Sequence, residues 1–381
     1  MSAPIRSTGH TVPVTTAPDD TGSAFPFVLT RVGLVMEPLE GSELEAEGVL
    51  NPGSARGPDG RLWLFPRLVA AGNRSRIAMA EVEIIDGVPI GVRRGAVVLE
   101  PATRWEYGAD HGGVEDPRIT WVPALGLYLM TYVAFGPLGP NPALATSADL
   151  FSWERRGPLH FRFSPDVDVD LNVYANKDCV FLDAPVTGPN GLPCLAMLHR
   201  PTWDLRDLSP AQGDWAPTGV DDVRGAIWIS YVDLATAQAD PAALVELTGH
   251  REVARSAYPF EEVKIGAGPP PIRVTEGWLL LHHGVSGELE PGWGLQKRVV
   301  YAVGGMLLDA SDPARVLTRT TVPLMEPAAA GETSGAVDNV VFPTAIEDID
   351  GVSYVFYGMA DSRIGVARLD RVDGTPVRGT T

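Results

Sequence analysis

Cysteine is almost missing: Cys179 and Cys194 are the only two in 381 residues. So few exclude a disulfide-dense secreted scaffold. Two free thiols in a reducing cytoplasm are expected, with a pairing across a hairpin left open. Positive charge is scarce too, with 30 Lys and Arg against 48 Asp and Glu and a formal net charge of −18. That balance argues against nucleic acid, which needs a basic face, and against an anionic membrane surface. No apolar run approaches the ~20 residues of a membrane span. The first residues lack an export signal's charged-then-apolar pattern. Met1–Asp20 is rich in Thr, Pro and Ser and reads as part of a flexible arm over residues 1–26. The seven histidines are scattered, and a strand would turn His282 and His283 to opposite faces, so no metal site is indicated. A G-x-S-x-G nucleophile elbow is absent. Lys264–Pro271 is Gly- and Pro-rich but is no Walker loop, because the lysine precedes the glycines. Cys179 has a lysine nearby and no histidine partner, a poor setting for a thiol nucleophile.

Sustained helical periodicity is the last absence; Pro241–Leu247 is the best short helix candidate. What remains is strand. Arg61–Val69, Leu127–Val133, Leu192–His199, Trp278–His283 and Val352–Tyr357 are short apolar or alternating runs, each following a turn with Gly60, Gly126, Gly191, Gly277 or Gly351. Glycine accepts the positive φ that tight hairpins require. Each hairpin follows a distinctive segment: Asn51-Pro52-Gly53, Glu115-Asp116-Pro117-Arg118, Asn176-Lys177-Asp178, Lys264–Gly268 and Asp338-Asn339-Val340-Val341. Each is followed by a further strand: Ile77–Val82, Ala143–Ser147, Ile227–Val232, Val299–Leu307 and Ile364–Leu369. One unit thus recurs five times, at intervals of roughly 60 to 90 residues. The fold expected is all-β, a five-bladed β-propeller over 27–381 behind the flexible arm; a sandwich with coincidental turn spacing is the alternative. A propeller brings the first strands of all its blades to one central channel.

In a regular strand Glu115 and Asp116 would face opposite ways, so one of them should look into the channel. A lone buried carboxylate there reads as a general acid, or as the ion-pair partner of Arg118. Arg67, Lys177, Arg200 and Lys264 fall in or beside the same segments, with His283 and Tyr301 on the following strands. Together they suggest a pocket for an anion. A polyol would instead draw on Asn51, Asn339, Tyr357 and Asp361.

In this ordered set the chain resembles glycoside hydrolase family 130, the β-mannoside phosphorylases and related β-mannosidases. The matching segments include those above, with His199-Arg200-Pro201, Gly277–Gly284, Asn339–Pro343 and Tyr357–Asp361, and span roughly residues 45–370. The family's fold is a five-bladed propeller. The resemblance implies that Asp116 is the acid that protonates the glycosidic oxygen, in some members through a sugar hydroxyl. It implies that Arg200, Lys264, His283 and Tyr301 bind phosphate, with Lys177 as another basic contact. Asn51, Arg67 and Asp361 would hold the mannosyl unit. The reaction implied is inverting: inorganic phosphate, as co-substrate, attacks the anomeric carbon and gives α-mannose 1-phosphate. No metal or organic cofactor is indicated, and a homo-oligomer is left open. An inverting hydrolase would need a second carboxylate as base; Glu261-Glu262, just ahead of Lys264, could supply one. A silent glycan-binding propeller is the third reading. The family's Phe-Pro-Glu after Asn176-Lys177-Asp178 is replaced by Cys179–Pro185. The stretches Thr202–Arg224, with Trp203 and Trp215, and Ser286–Arg298, with Trp293, are longer than expected and could rim the pocket.

Overall fold

The computed structural model describes residues 25–108, 111–205, 209, 211–288 and 298–378. The strands form five antiparallel units. Unit I runs Gly48–Arg56, Leu62–Ala70, Arg74–Ile85 and Val88–Leu99. Unit II runs Gly112–Val122, Leu127–Gly136, Gly139–Ser147 and Glu154–Pro158. Unit III runs Asn176–Phe181, Pro193–Pro201, Ile227–Asp233 and Glu246–Ala254, with His160–Phe161 added at its outer edge. Unit IV sets Lys264–Ala267 and Ile272–Val274 against Gly277–Gly287, then Val299–Leu308 and Val316–Arg319. Unit V runs Val341–Ile349, Val352–Met359 and Arg363–Arg371. Its outer strand is Phe27–Met36, from the start of the described chain.

The middle and third strands expected from sequence all form. Gly60, Gly126, Gly191 and Gly351 turn with φ between 64° and 82°, which side-chain-bearing residues resist. By hydrogen bonding there are four sheets rather than five, because Arg74 and Ser75 pair in parallel with Gly112 and Gly113 and join units I and II. Five hydrophobic clusters hold the units together. They pack unit I on II, II on III, III on IV, IV on V, and V on I. The outer strand Phe27–Met36 feeds the last two through Phe27, Val35 and Met36.

The helix candidate is corrected: only Pro241–Val245 coils, as a 3-10 turn, because Glu246 already starts a strand; the α-helix is Leu234–Ala239 just before it. Both cysteines are free and buried. Among the described residues no helix is long and apolar enough to cross a membrane. The arm's first 24 residues and Trp293 lie outside the described residues.

Candidate active site

Three first strands carry the same defect. The pairing register slips by one residue between Leu50 and Gly53, between Glu115 and Arg118, and between Lys177 and Val180. Each slip is a β-bulge, and each holds one residue in the left-handed region: Asn51 (φ 44°), Asp116 (φ 48°) and Asp178 (φ 56°). Asn and Asp tolerate that conformation better than other side chains. The bulge re-aims the side chain, and here it delivers three polar groups to one place.

The bulge also corrects the alternation argument. Glu115 and Asp116 do not face opposite ways. Both bind the Arg67 guanidinium, Nη2 donating to Glu115 Oε1 at 2.8 Å and Nη1 to Asp116 Oδ1 at 3.2 Å. Asn51 Nδ2 donates to the same Asp116 oxygen at 3.0 Å. Arg118 is not the partner of the Asp116 carboxylate; it bonds the backbone oxygens of Asp116, Pro117 and Gly268. Lys177 Nζ lies 3.9 Å from Glu115 Oε2 and over the Phe135 ring.

The second half of the centre is built on Asp178. Arg200 Nε donates to Asp178 Oδ2 at 2.6 Å, and His283 Nε2 lies 3.7 Å from the same oxygen. The His283 ring stacks on Tyr301, with centroids 5.7 Å apart, and Lys264 Nζ sits 5.5 Å from the Tyr301 ring centre. Two glycines allow this closeness. A Cβ on Gly266 would strike Asp178 Oδ2 and His283 Cε1. One on Gly225 would press the stems of Lys264 at 3.1 Å and Arg200 at 3.2 Å. As expected, His282 and His283 point apart, His282 reaching Glu261 instead.

The charges of these groups act on one another. Burial pushes the Asp116 carboxyl up, but Arg67, Lys177 and Arg118, with the Asn51 hydrogen bond, outweigh it and hold it below the ordinary carboxylate value. The expectation that burial alone makes it an acid is therefore corrected. Asp361 goes the other way, to about 6, pushed by burial and then by the charge of Asp116 against the pull of Arg67 and Lys177. Burial, then Arg200, lowers Lys264 to about 7. Burial keeps His283 neutral, well below its usual value. Cations including Arg200 hold Asp178 strongly ionised against burial. All nine residues singled out from sequence thus share one contact and charge network drawn from all five units.

Other candidates drop out. Glu262 is exposed and Glu261 is wholly buried. Glu261 Oε2 accepts from the backbone of Ala257 and Tyr258, and Oε1 from His282 and from Arg319 at 2.6 Å. Every acceptor position on it is engaged, so it is no base for water. The same clamp recurs. Glu106 takes Ala102 and Thr103 N–H, Tyr132 and Arg155; Glu332 takes Ala328 and Ala329 N–H, Tyr357 and Arg31. Tyr357 is thereby removed from the polyol candidates. Glu45 makes a reduced version with Leu39 N–H and Arg94. Sequence reading missed these clamps, although a glutamate on a short turn ahead of the first strand was visible in four units. Burial, with Asp178 nearby, also pushes the Cys179 thiol well up and makes it inert.

The family model described as β-1,4-mannooligosaccharide phosphorylase matches residues 230–373. A 1,2-β-oligomannan phosphorylase of Thermoanaerobacter sp. is 30% identical over 68% of this chain and 69% of its own. A β-1,2-mannobiose phosphorylase of the same organism is 28% identical over 91% of this chain and 98% of its own. The structure of the Listeria innocua β-1,2-mannobiose phosphorylase, in complex with β-1,2-mannobiose, superposes with a TM-score of 0.65 at 20% identity, covering 90% of this chain and 96% of that one. The chain belongs to glycoside hydrolase family 130.

Proposed function

We propose that the protein is an inverting β-mannoside phosphorylase that releases α-mannose 1-phosphate, built on a five-bladed propeller and working in the cytoplasm. The five inter-unit clusters, with unit V packed on unit I, support the propeller. The two buried free thiols fit a reducing compartment.

One observation carries the activity. The Lys264 ammonium is only part-exposed, its stem packed near that of Arg200, and desolvation first and the Arg200 charge second lower its affinity for a proton. The Asp178 carboxylate, bonded to Arg200, offsets part of this charge, and a further anion beside the two cations would favour the ammonium form. Phosphate bound there would meet Arg200, Lys264, His283 and Tyr301, with Lys177 at its flank. Asn51, Arg67 and Asp361 would hold the mannosyl unit against Asp116. The anion also changes the acid. Its negative charge offsets the cations that keep Asp116 ionised, so phosphate binding raises Asp116 toward the protonated form the leaving oxygen needs. Phosphate is already a nucleophile and requires no second carboxylate, which fits a centre whose Glu261 is engaged elsewhere.

The test is incubation with β-1,2- and β-1,4-mannobiose, with and without phosphate. Mannose 1-phosphate formed only when phosphate is present is the expected result. Equal release of free mannose without phosphate would mean a β-mannosidase. Loss of both would mean a glycan-binding propeller.

A further inference from the structure

The three bulged strands differ in the residue that stands just before the slip. It is Leu50 in unit I, Glu115 in unit II and Lys177 in unit III, and their partners on the second strands are Arg67, Val133 and Arg200. Of these six positions three are cationic and one is anionic. Glu115 is that anion, 3% exposed and set between cations of the two neighbouring units. Its Oε1 accepts from Arg67 Nη2 at 2.8 Å, and its Oε2 lies 3.9 Å from Lys177 Nζ.

Both cations also act on Asp116. Arg67 Nη1 reaches Asp116 Oδ1 at 3.2 Å, longer than its bond to Glu115, and Lys177 is among the charges that hold Asp116 ionised. The charged groups facing these two carboxylates are Arg67 of unit I, Arg118 of their own strand, Lys177 of unit III and Asp361 of unit V. The leaving oxygen needs Asp116 protonated, so cations engaged wholly with Asp116 would oppose the reaction. A second carboxylate between them counters this twice. It fixes the guanidinium fork on itself, and its own negative charge opposes ionisation of Asp116.

We infer that Glu115 is a positioning residue for the acid: it holds Arg67 and Lys177 through separate oxygens and keeps both from closing on the Asp116 carboxylate. The assignment deepens the proposed phosphorolysis and rests on it for the reaction served.

The test uses the whole chain, with kcat read across pH at saturating phosphate on whichever of β-1,2- and β-1,4-mannobiose is cleaved. The rate should fall on the alkaline side as Asp116 loses its proton. Glu115→Gln keeps the shape and removes the charge. It should move that limb down by about one pH unit, a roughly tenfold fall in kcat above the limb. Glu115→Asp keeps the charge and should leave the limb close to that of wild type. Asp361 also feels Glu115, so the shift is measured again with Asp361→Asn in both arms, where it should persist. If Glu115→Gln fails to fold, Lys177→Gln is compared with the double variant Glu115→Gln/Lys177→Gln, which removes the pair together and should have the lower limb of the two. An unmoved limb in folded Glu115→Gln, an equal shift in Glu115→Asp, a shift lost with Asp361→Asn, or a double variant whose limb is no lower than that of Lys177→Gln makes Glu115 a structural ion pair. Any of these overturns the assignment and leaves phosphorolysis standing. Mannobiose cleaved equally well without phosphate defeats the phosphorylase reading alone, since the limb of that reaction still compares the variants. A wild type that cleaves neither mannobiose overturns both.

Discussion

Two sets of carboxylates in this molecule are held in different ways, one wholly buried and one part-exposed. Glu106, Glu261 and Glu332 lie between the strands of their own units, and each pairs with an arginine from its unit's outer strand and a Tyr or His from the second strand. Asp116, Asp178 and Asp361 lie at the centre and also have arginines near them. The difference is the backbone. Each clamping glutamate accepts two main-chain N–H groups, so it is fixed by local chain geometry, and all three are driven below the ordinary carboxylate value. The central aspartates are placed by left-handed residues, at Asp116 and Asp178 within strand bulges, and hold only side chains. Their protonation is set by neighbours that a ligand can change. A carboxylate tied to the main chain is structure; one aimed by a bulge is available for chemistry.

Substitution at the two kinds of site should separate activity from stability. Asp116→Asn has the largest expected effect. Asparagine accepts φ near 48°, so the fold should survive, while kcat falls roughly a thousandfold because no proton reaches the leaving oxygen. Phosphorolysis within a few-fold of wild type would remove Asp116 from that role. Glu261→Ala should do the reverse. It leaves Arg319 buried and uncompensated, with His282 and two N–H groups unpaired, at a cost of about 3 kcal/mol or more. Thermal denaturation should show a clearly lowered midpoint, and the folded enzyme should retain most of its kcat. An unchanged midpoint with abolished turnover would make Glu261 a reacting group and dissolve the distinction.

The sequence showed much of the centre and little of the clamps. Hairpin glycines and recurring segments were enough to find five units, because turn chemistry is local. The nine site residues were legible as an ordered set through family resemblance. Their geometry was not. Alternation predicted that Glu115 and Asp116 diverge, and only the register slip, a property of two paired strands, brings both to Arg67. The strand Phe27–Met36 pairs with Arg363–Arg371, more than 300 residues away in sequence. No local pattern announces such a partner. The acid role of Asp116 was implied by the resemblance, with burial as the only influence on its proton that the sequence suggested, whereas the summed field of Arg67, Lys177 and Arg118 exists only in three dimensions.

The smallest predicted effect tests the same comparison from the stability side. The Asp361 carboxyl titrates near 6 in the fold, above its unfolded value of 3.8. What it lends to stability is therefore present below the unfolded value and lost as pH rises through about 6; beyond that, an ionised Asp361 is a cost, through burial and repulsion by Asp116. Asp361→Asn removes the charge and keeps a residue suited to φ 46°. At pH 8 the variant should be more stable than wild type by about 1 kcal/mol, less than the full shift implies because the group is part-exposed. The gain should shrink toward zero near pH 4. Paired unfolding curves at the two pH values measure it. A variant less stable at pH 8 would show that the ionised aspartate is held as securely as the clamping glutamates, and the centre would then be one more structural clamp.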